Sequence, residues 1–314
     1  MRKTIAMAVV VSLLLSLYIP GVYAQTATTA VGPPGLALVE EILYGRTQEG
    51  SLLSRLERAE ADVLGAPDSG GAFLVRVQRL VSLLTGAEGE ISLKMKLNAV
   101  EWAMFQSINE GPSIARRLDR LETAMFGETY GSQSIVARLD SLLQLMWPGG
   151  RIYVVERDVP KGTLIKIELL TELNSERSRP NDVVSYRVVE DVRIDNAIVI
   201  PAGTVGQGHI VSVQSAGRLG QDGLVQVDFG QVAAMDSTMV KIAVAERATE
   251  RNRSLELAAG ASIAGVVLLG PVGLAAGYLV RGREHIVPVG TTFYAEMATD
   301  VRVNALSLVP TTGR

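Results

Sequence analysis

Residues 113–127 have the sequence SIARRLDRLETAMFG, which contains one complete helical unit. Ser113 stands where a helix N-cap is expected, and Gly127 stands where a left-handed C-cap is expected. Between them, apolar residues recur at the spacing of one α-helical face, at Ile114, Leu118, Leu121 and Met125. This stretch therefore predicts a short amphipathic helix that is closed at both ends.

The same unit recurs along the first half of the chain with a period of 20 or 21 residues. An isolated helix of about 13 residues is marginal in water, so these helices must pack on each other or on copies in other chains. The repeat predicts a helical domain over residues 36–147, as a small bundle or a solenoid. Each unit has an apolar anchor, and the anchors are Leu36, Leu56, Val77, Leu97, Leu118 and Leu139.

Charged residues recur in the same register. Because these carboxylates recur with the unit, they are not candidates for catalysis. The favoured interpretation is a solvated face whose salt bridges contribute under about 1 kcal/mol each. The alternative is a charge ladder between neighbouring helices, or a charged surface that binds a partner. The basic residues directly before the anchors are Arg55, Arg76, Lys96, Arg117 and Arg138. The glutamates four residues after the anchors are Glu40, Glu60, Glu101 and Glu122.

A stretch of 24 residues without charge runs from Leu257 to Val280. Its length would suffice for one membrane span of about 20 residues, but Gly270-Pro271 divides it, which favours a helical hairpin. Arginines on both sides suit headgroup anchoring at one membrane face. The alternative is a hairpin buried against the sheet. The interrupting residues, which would line the hairpin, are Gly260, Gly265, Gly270, Pro271, Gly273 and Gly277.

The N-terminus predicts export. Arg2 and Lys3 precede an apolar run, and Val22-Tyr23-Ala24 has the small-residue pattern of a cleavage site, so residues 1–24 are expected to be a signal peptide. An uncleaved membrane anchor is the alternative. Residues 25–35 are expected to form a flexible tail. The mature protein would then lie at the outer membrane facing the periplasm, or in the periplasm.

Composition excludes several kinds of site. The chain has no cysteine, which excludes disulfides, thiolate metal sites and cysteine nucleophiles. A formal charge of −3 and a pI near 5.6 give no electrostatic indication of nucleic-acid binding.

After a glycine hinge at residues 148–150, the apolar period changes from helical to two. Ile165, Ile167 and Leu169 alternate with charged residues, and similar segments follow, separated by turn residues. This pattern predicts an antiparallel β-sandwich or barrel over residues 151–308, with a short tail at 309–314. The fold class is therefore expected to be α+β.

One five-residue motif occurs three times, and each copy precedes a predicted strand. Proline fixes φ and cannot donate to a ladder, glycine supplies a turn with positive φ, and threonine begins the strand. We interpret the motif as a strand-opening turn. Its residues are Pro160, Gly162 and Thr163; Pro201, Gly203 and Thr204; and Pro288, Gly290 and Thr291.

The order of these motifs, with the apolar insertion before the last strands, resembles the C-terminal β-barrel domain of TrbI-like proteins of conjugation and type IV secretion core complexes. The resemblance covers roughly residues 155–305. It implies an oligomeric ring whose inserted hairpin crosses the outer membrane. The helical units weakly resemble repeats of some bacterial envelope proteins.

No catalytic signature is present in the sequence. His209 and His285 lack the spacing of a catalytic triad or a metal site, and Glu190, Asp191 and Asp195 are interpreted as turn residues. No cofactor or metal is expected. The sequence favours a non-enzymatic envelope assembly protein whose partners are itself, the membrane and other envelope proteins. The alternative is a soluble periplasmic scaffold with a buried hairpin, and an enzyme acting on envelope polysaccharide is the third hypothesis.

Overall fold

The computed structural model describes residues 33–86, 91–216, 223–259 and 286–310, with the side chains of the third range described up to Ser254. The predicted signal peptide, most of the predicted tail at 25–35, residues 260–280 of the apolar stretch and His285 lie outside the described residues. The glycines and proline predicted to line the hairpin therefore also lie outside them. The structure does not test the domain boundaries, which stay a prediction.

The first half of the described chain consists of six short helices. The anchors of all six helices are buried, with exposed fractions of at most 4%. Ser51, Ser92 and Ser134 accept a capping hydrogen bond from the amide three residues on. The helices are α1 (Pro34–Tyr44), α2 (Leu52–Leu64), α3 (Phe73–Thr85), α4 (Leu93–Phe105), α5 (Ile114–Phe126) and α6 (Ile135–Met146).

The six helices form an array in which helices four units apart also contact each other. Each helix contacts the next, and in addition α1 contacts α5 and α2 contacts α6. The turns after α1 and α2 lie against helix starts four units later. A Cβ built on Gly45 would lie 3.9 Å from the Cβ of Ser113, and one on Gly65 would lie 3.7 Å from the Cβ of Ser134.

The second half is built from antiparallel strands and one further helix. The elements are β1 (Val154–Val159), β2 (Leu164–Leu169), β3 (Leu173–Asn174), β4 (Val183–Val188), β5 (Val192–Ile194), β6 (Ala197–Ile200), β7 (Val205–Gln214), β8 (Leu224–Ala233), β9 (Met239–Ala243), α7 (Glu246–Ala259), β10 (Ile286–Val287), β11 (Thr292–Met297) and β12 (Val301–Ser307).

Six of these strands close a barrel in the order β11-β2-β4-β7-β8-β9. A separate sheet has the order β1-β12-β6-β5, and β10 pairs with β3. The predicted α+β class is confirmed, and the β-domain is a barrel with an added sheet. Sequence periodicity predicts the barrel strands well because residues of β2 alternate between the buried interior and a more accessible side.

The barrel interior is filled by the protein's own side chains. The rings of Tyr186 and Phe229 meet edge to face with centroids 5.7 Å apart, and the rings of Phe229 and Phe293 lie 5.5 Å apart. The hydroxyl of Tyr186 donates to the carbonyl oxygen of Phe229 at 2.9 Å. Burial raises the pKa of Tyr186, so this hydroxyl stays protonated.

Candidate functional site

The three strand-opening motifs fold into the same turn. Gly162, Gly203 and Gly290 have φ of 79°, 84° and 88°, in the region that favours glycine. In each turn the threonine hydroxyl donates to the proline carbonyl, at 2.7, 2.8 and 2.8 Å. The strands that follow are β2, β7 and β11, which all belong to the barrel.

The helical array contacts the second of these turns. The amide of Ile108, just after α4, donates to the carbonyl oxygen of Ala202 at 2.8 Å. The two backbones approach so closely that a Cβ on Gly203 would lie 2.2 Å from the carbonyl oxygen of Ile108. Glycine at this position therefore serves both the turn and the contact between the array and the barrel.

Helix α4 contacts the β-domain directly through its side chains. It buries residues on several faces, and these belong to a hydrophobic cluster that includes both the array and Ile198, Met235 and Leu306 of the β-domain. The indole nitrogen of Trp102 donates to both carboxylate oxygens of Asp191, at 3.1 and 3.2 Å.

The side chain of Asp191 is only 10% exposed and holds three groups together. Besides Trp102, it accepts from the amide of Ala202 at 2.8 Å and from the guanidinium of Arg193 at 2.8 Å. The interpretation of Asp191 as a simple turn residue is therefore incomplete, since its carboxylate joins α4 to the β-domain.

The other two carboxylates of this turn have different partners. Glu190 accepts from the ammonium of Lys166 at 2.6 Å, and the side chain of Asp195 is 76% exposed with Arg157 3.6 Å away. His209 is exposed on β7. Within the described ranges, no group of acidic or histidine side chains could hold a metal ion.

Replacing Asp191 by alanine is expected to loosen the contact between α4 and the barrel. Hydrogen bonds to a charged group contribute about 1.5–3 kcal/mol, and the indole and the Ala202 amide would both lose their acceptor. We expect unfolding at lower denaturant concentration and a red-shifted tryptophan emission. Asp195→Ala is the matched control, and an equal loss in both variants would contradict the assignment.

The repeated charges are buried pairs between successive helices, so the interpretation as a solvated face is wrong. The exposed fractions of the paired side chains are 9% or less, and in each pair the arginine comes from the helix after that of the glutamate. Each glutamate also accepts the amide eight residues ahead, at 2.8 to 3.1 Å. The pairs are Glu40–Arg55, Glu60–Arg76, Glu101–Arg117 and Glu122–Arg138.

The ladder is interrupted in the middle of the array and at its ends. Between α3 and α4, both partners differ together: Val81 replaces the glutamate and Lys96 replaces the arginine. At the ends, Gly35 and Leu143 stand where a further arginine and a further glutamate would be. The ends therefore lack the charges that would continue the ladder into another copy.

Helix α7, which leads into the apolar stretch, is fixed to the barrel strand β11. The side-chain amide of Asn252 donates to the carbonyl of Tyr294 at 2.9 Å and accepts from the Tyr294 amide at 2.7 Å. The carboxylate of Glu296 accepts the amide of Ala248, a fully buried residue, at 2.6 Å. These bonds hold the first part of α7, which precedes the stretch, against the barrel strand β11.

The chain returns to the barrel at β10, where Ile286 pairs with Asn174 and Val287 pairs with Leu173. Both flanks of residues 260–285 are therefore hydrogen-bonded to the β-domain. None of the helices in the described part of the chain combines the length and the apolar character that a membrane span requires.

Comparisons with known proteins give a partial similarity to solved structures. No protein family and no curated protein matches this chain. Among solved structures it is similar to ComB10 of the Com type IV secretion system of Helicobacter pylori, with 14% identity over 46% of this chain and 89% of that chain, at a TM-score of 0.27. The TrbI-like resemblance stays a prediction.

Some residues of the site were not predicted from the sequence. The contact residues Trp102, Asp191 and Ile108 carry no motif, and their partners are far away along the chain. One signal was available, since α4 is apolar on more faces than a helix packed on one side needs.

Proposed function

We propose that this chain is a non-enzymatic structural protein of the cell envelope. In this proposal the β-domain forms an oligomer, the apolar stretch 257–280 inserts in the outer membrane, and the whole is part of an envelope or secretion assembly. The observation that supports it is the bonding of α7 to β11, which fixes the chain just before the uncharged stretch to the barrel.

An uncharged stretch of 24 residues needs cover from water, because large exposed apolar surfaces are rare on soluble proteins. Lipid or protein could provide this cover. The described barrel interior already contains Tyr186, Phe229 and Phe293, each at most 2% exposed, so it offers little room for a further hairpin. This packing favours lipid.

Replacing residues 257–280 by a short glycine-serine linker tests the proposal. We expect the variant to leave the outer-membrane fraction and to appear in the soluble periplasm, since its lipid-binding surface is gone. We also expect the barrel to unfold at the same temperature as in the unchanged protein. The unchanged protein, extracted in mild detergent, should have the mass of a discrete oligomer.

A matched control is replacement of residues 217–222, the connection between β7 and β8, by a linker of equal length, which should leave the fractionation unchanged. Two results would contradict membrane insertion. The first is a linker variant that still pellets with outer membranes. The second is a detergent-free monomer whose barrel loses stability with the linker, which would indicate the soluble periplasmic scaffold instead.

A further inference from the structure

The last two helices of the array leave an aromatic groove open between them. It has a volume of about 310 Å3 and is lined by residues that include Phe126, Tyr130, Ser141 and Leu145. Phe126 is 38% exposed and Leu145 is 62% exposed. The rings of Phe126 and Tyr130 meet edge to face with centroids 5.5 Å apart, so the open face of Phe126 is held in place.

The equivalent ring one unit earlier is covered by an arginine. Phe105 stands eight residues after its anchor, as Phe126 does in the next unit. The guanidinium carbon of Arg120 lies 4.4 Å from the centroid of the Phe105 ring. This distance is within the range of an attractive cation–π contact.

An arginine stands at the covering position in three of the six units. Arg58, Arg79 and Arg120 each stand two residues after an anchor. In the last unit this position is Ser141, which is too short to reach over a ring. The groove is therefore the space that an arginine side chain fills one unit earlier.

The carboxylates bonded to Arg138, which lines the groove, also favour the binding of a cation. Arg138, at its base, bonds both to Glu122 at 2.7 Å and to Asp119 at 2.6 Å, so one guanidinium faces two carboxylates. One unit earlier, two guanidiniums face a single carboxylate, because Arg117 and Arg120 lie 2.6 and 3.6 Å from Glu101. The cluster of Arg138 with Glu122 and Asp119 thus has more negative charge than the cluster of Arg117 and Arg120 with Glu101, and the side chain of Asp119 is 49% exposed.

We propose that this groove binds an arginine side chain of a partner polypeptide. The partner supplies in trans the guanidinium that Arg120 supplies within the chain. A planar guanidinium suits the site because it stacks on an aromatic face and is weakly hydrated, whereas an ammonium is a compact, strongly hydrated charge. The site is on the helical array, so the proposal holds whether or not residues 257–280 enter a membrane.

The test uses the full mature protein with fluorine-labelled phenylalanine, since the chain has only five phenylalanines to resolve. N-acetyl-arginine methylamide is titrated in, and its citrulline counterpart serves as the neutral probe of the same shape. We expect the Phe126 signal to shift with arginine at least about fivefold more strongly than with citrulline. The Phe105 signal should not respond, because Arg120 already covers that ring.

Two opposite substitutions complete the test. Ser141→Arg should fill the groove from within and abolish the response of Phe126. Arg120→Ser should open the earlier ring, so that Phe105 gains a response to the arginine probe. The proposal is overturned if Phe126 does not respond, if citrulline acts as strongly as arginine, or if Ser141→Arg leaves the response unchanged. Should Ser141→Arg fail to fold, the Arg120→Ser variant and the citrulline comparison still decide whether the groove binds arginine.

Discussion

Replacing Glu60 by glutamine is expected to lower the free energy of unfolding by about 3–5 kcal/mol, because the change leaves a buried guanidinium without its counter-charge. Glu60 is 2% exposed and receives two bonds from Arg76, at 2.9 Å from Nε and 2.5 Å from a terminal nitrogen. It also accepts the amide of Asp68 at 3.0 Å. The measurement is denaturant unfolding of the variant and the unchanged protein.

A double replacement separates the charge from the packing. In the variant Glu60→Leu with Arg76→Met, no unpaired charge remains buried, so most of the stability should return. Asp158→Asn is the exposed control: its partner Arg302 lies 2.7 Å away, but the two side chains are 76% and 62% exposed. That change should cost under about 1 kcal/mol. Equal losses of unfolding free energy at Glu60 and Asp158 would show that burial does not raise the cost of removing one charge of the pair.

Replacing Gly203 by alanine is expected to destabilise the protein more than the same change at Gly290. Both glycines have positive φ, 84° and 88°, so both substitutions carry a backbone strain of about 1–3 kcal/mol. Only at Gly203 does the new Cβ meet backbone, at 2.2 Å from the Ile108 carbonyl oxygen. At Gly290 the nearest atom is a Glu168 side-chain oxygen at 3.9 Å.

The difference between the two variants measures the contact between the array and the barrel. We expect Gly203→Ala to lose about 2 kcal/mol more than Gly290→Ala, since overpacking that moves backbone costs about 1–3 kcal/mol. Amide exchange at Ile108 should accelerate in Gly203→Ala and stay unchanged in Gly290→Ala. Indistinguishable stabilities would mean that the turn alone, and not the contact with α4, requires glycine at this position.

Local patterns of the sequence predicted the secondary structure closely. A period of 20 or 21 residues located the six helices, and alternation in β2 located a barrel strand, because side-chain direction along a helix or strand is fixed by backbone geometry. The strand-opening turns were equally accessible, since proline and glycine restrict φ within the motif itself.

The sequence could not decide the environment of the repeated charges. Glu60 and Arg76 are 16 residues apart, on different helices, and an Arg–Glu pattern of this kind is compatible with either a solvated or a buried surface. The packing of successive helices decides between them, because it buries both side chains of the pair. The open groove at Phe126 depends on the same packing.

The sequence by itself determined that this protein has a helical array, a β-domain and an uncharged stretch inserted between strands. Only the tertiary structure decided how the first two are joined, through Trp102 and Asp191, which are 89 residues apart, and through the close approach of Gly203 to Ile108. The physical reason is the distance along the chain between the residues that interact. Periodicity reports the face that each segment buries, whereas hydrogen bonds between distant segments form only once both segments are placed by packing.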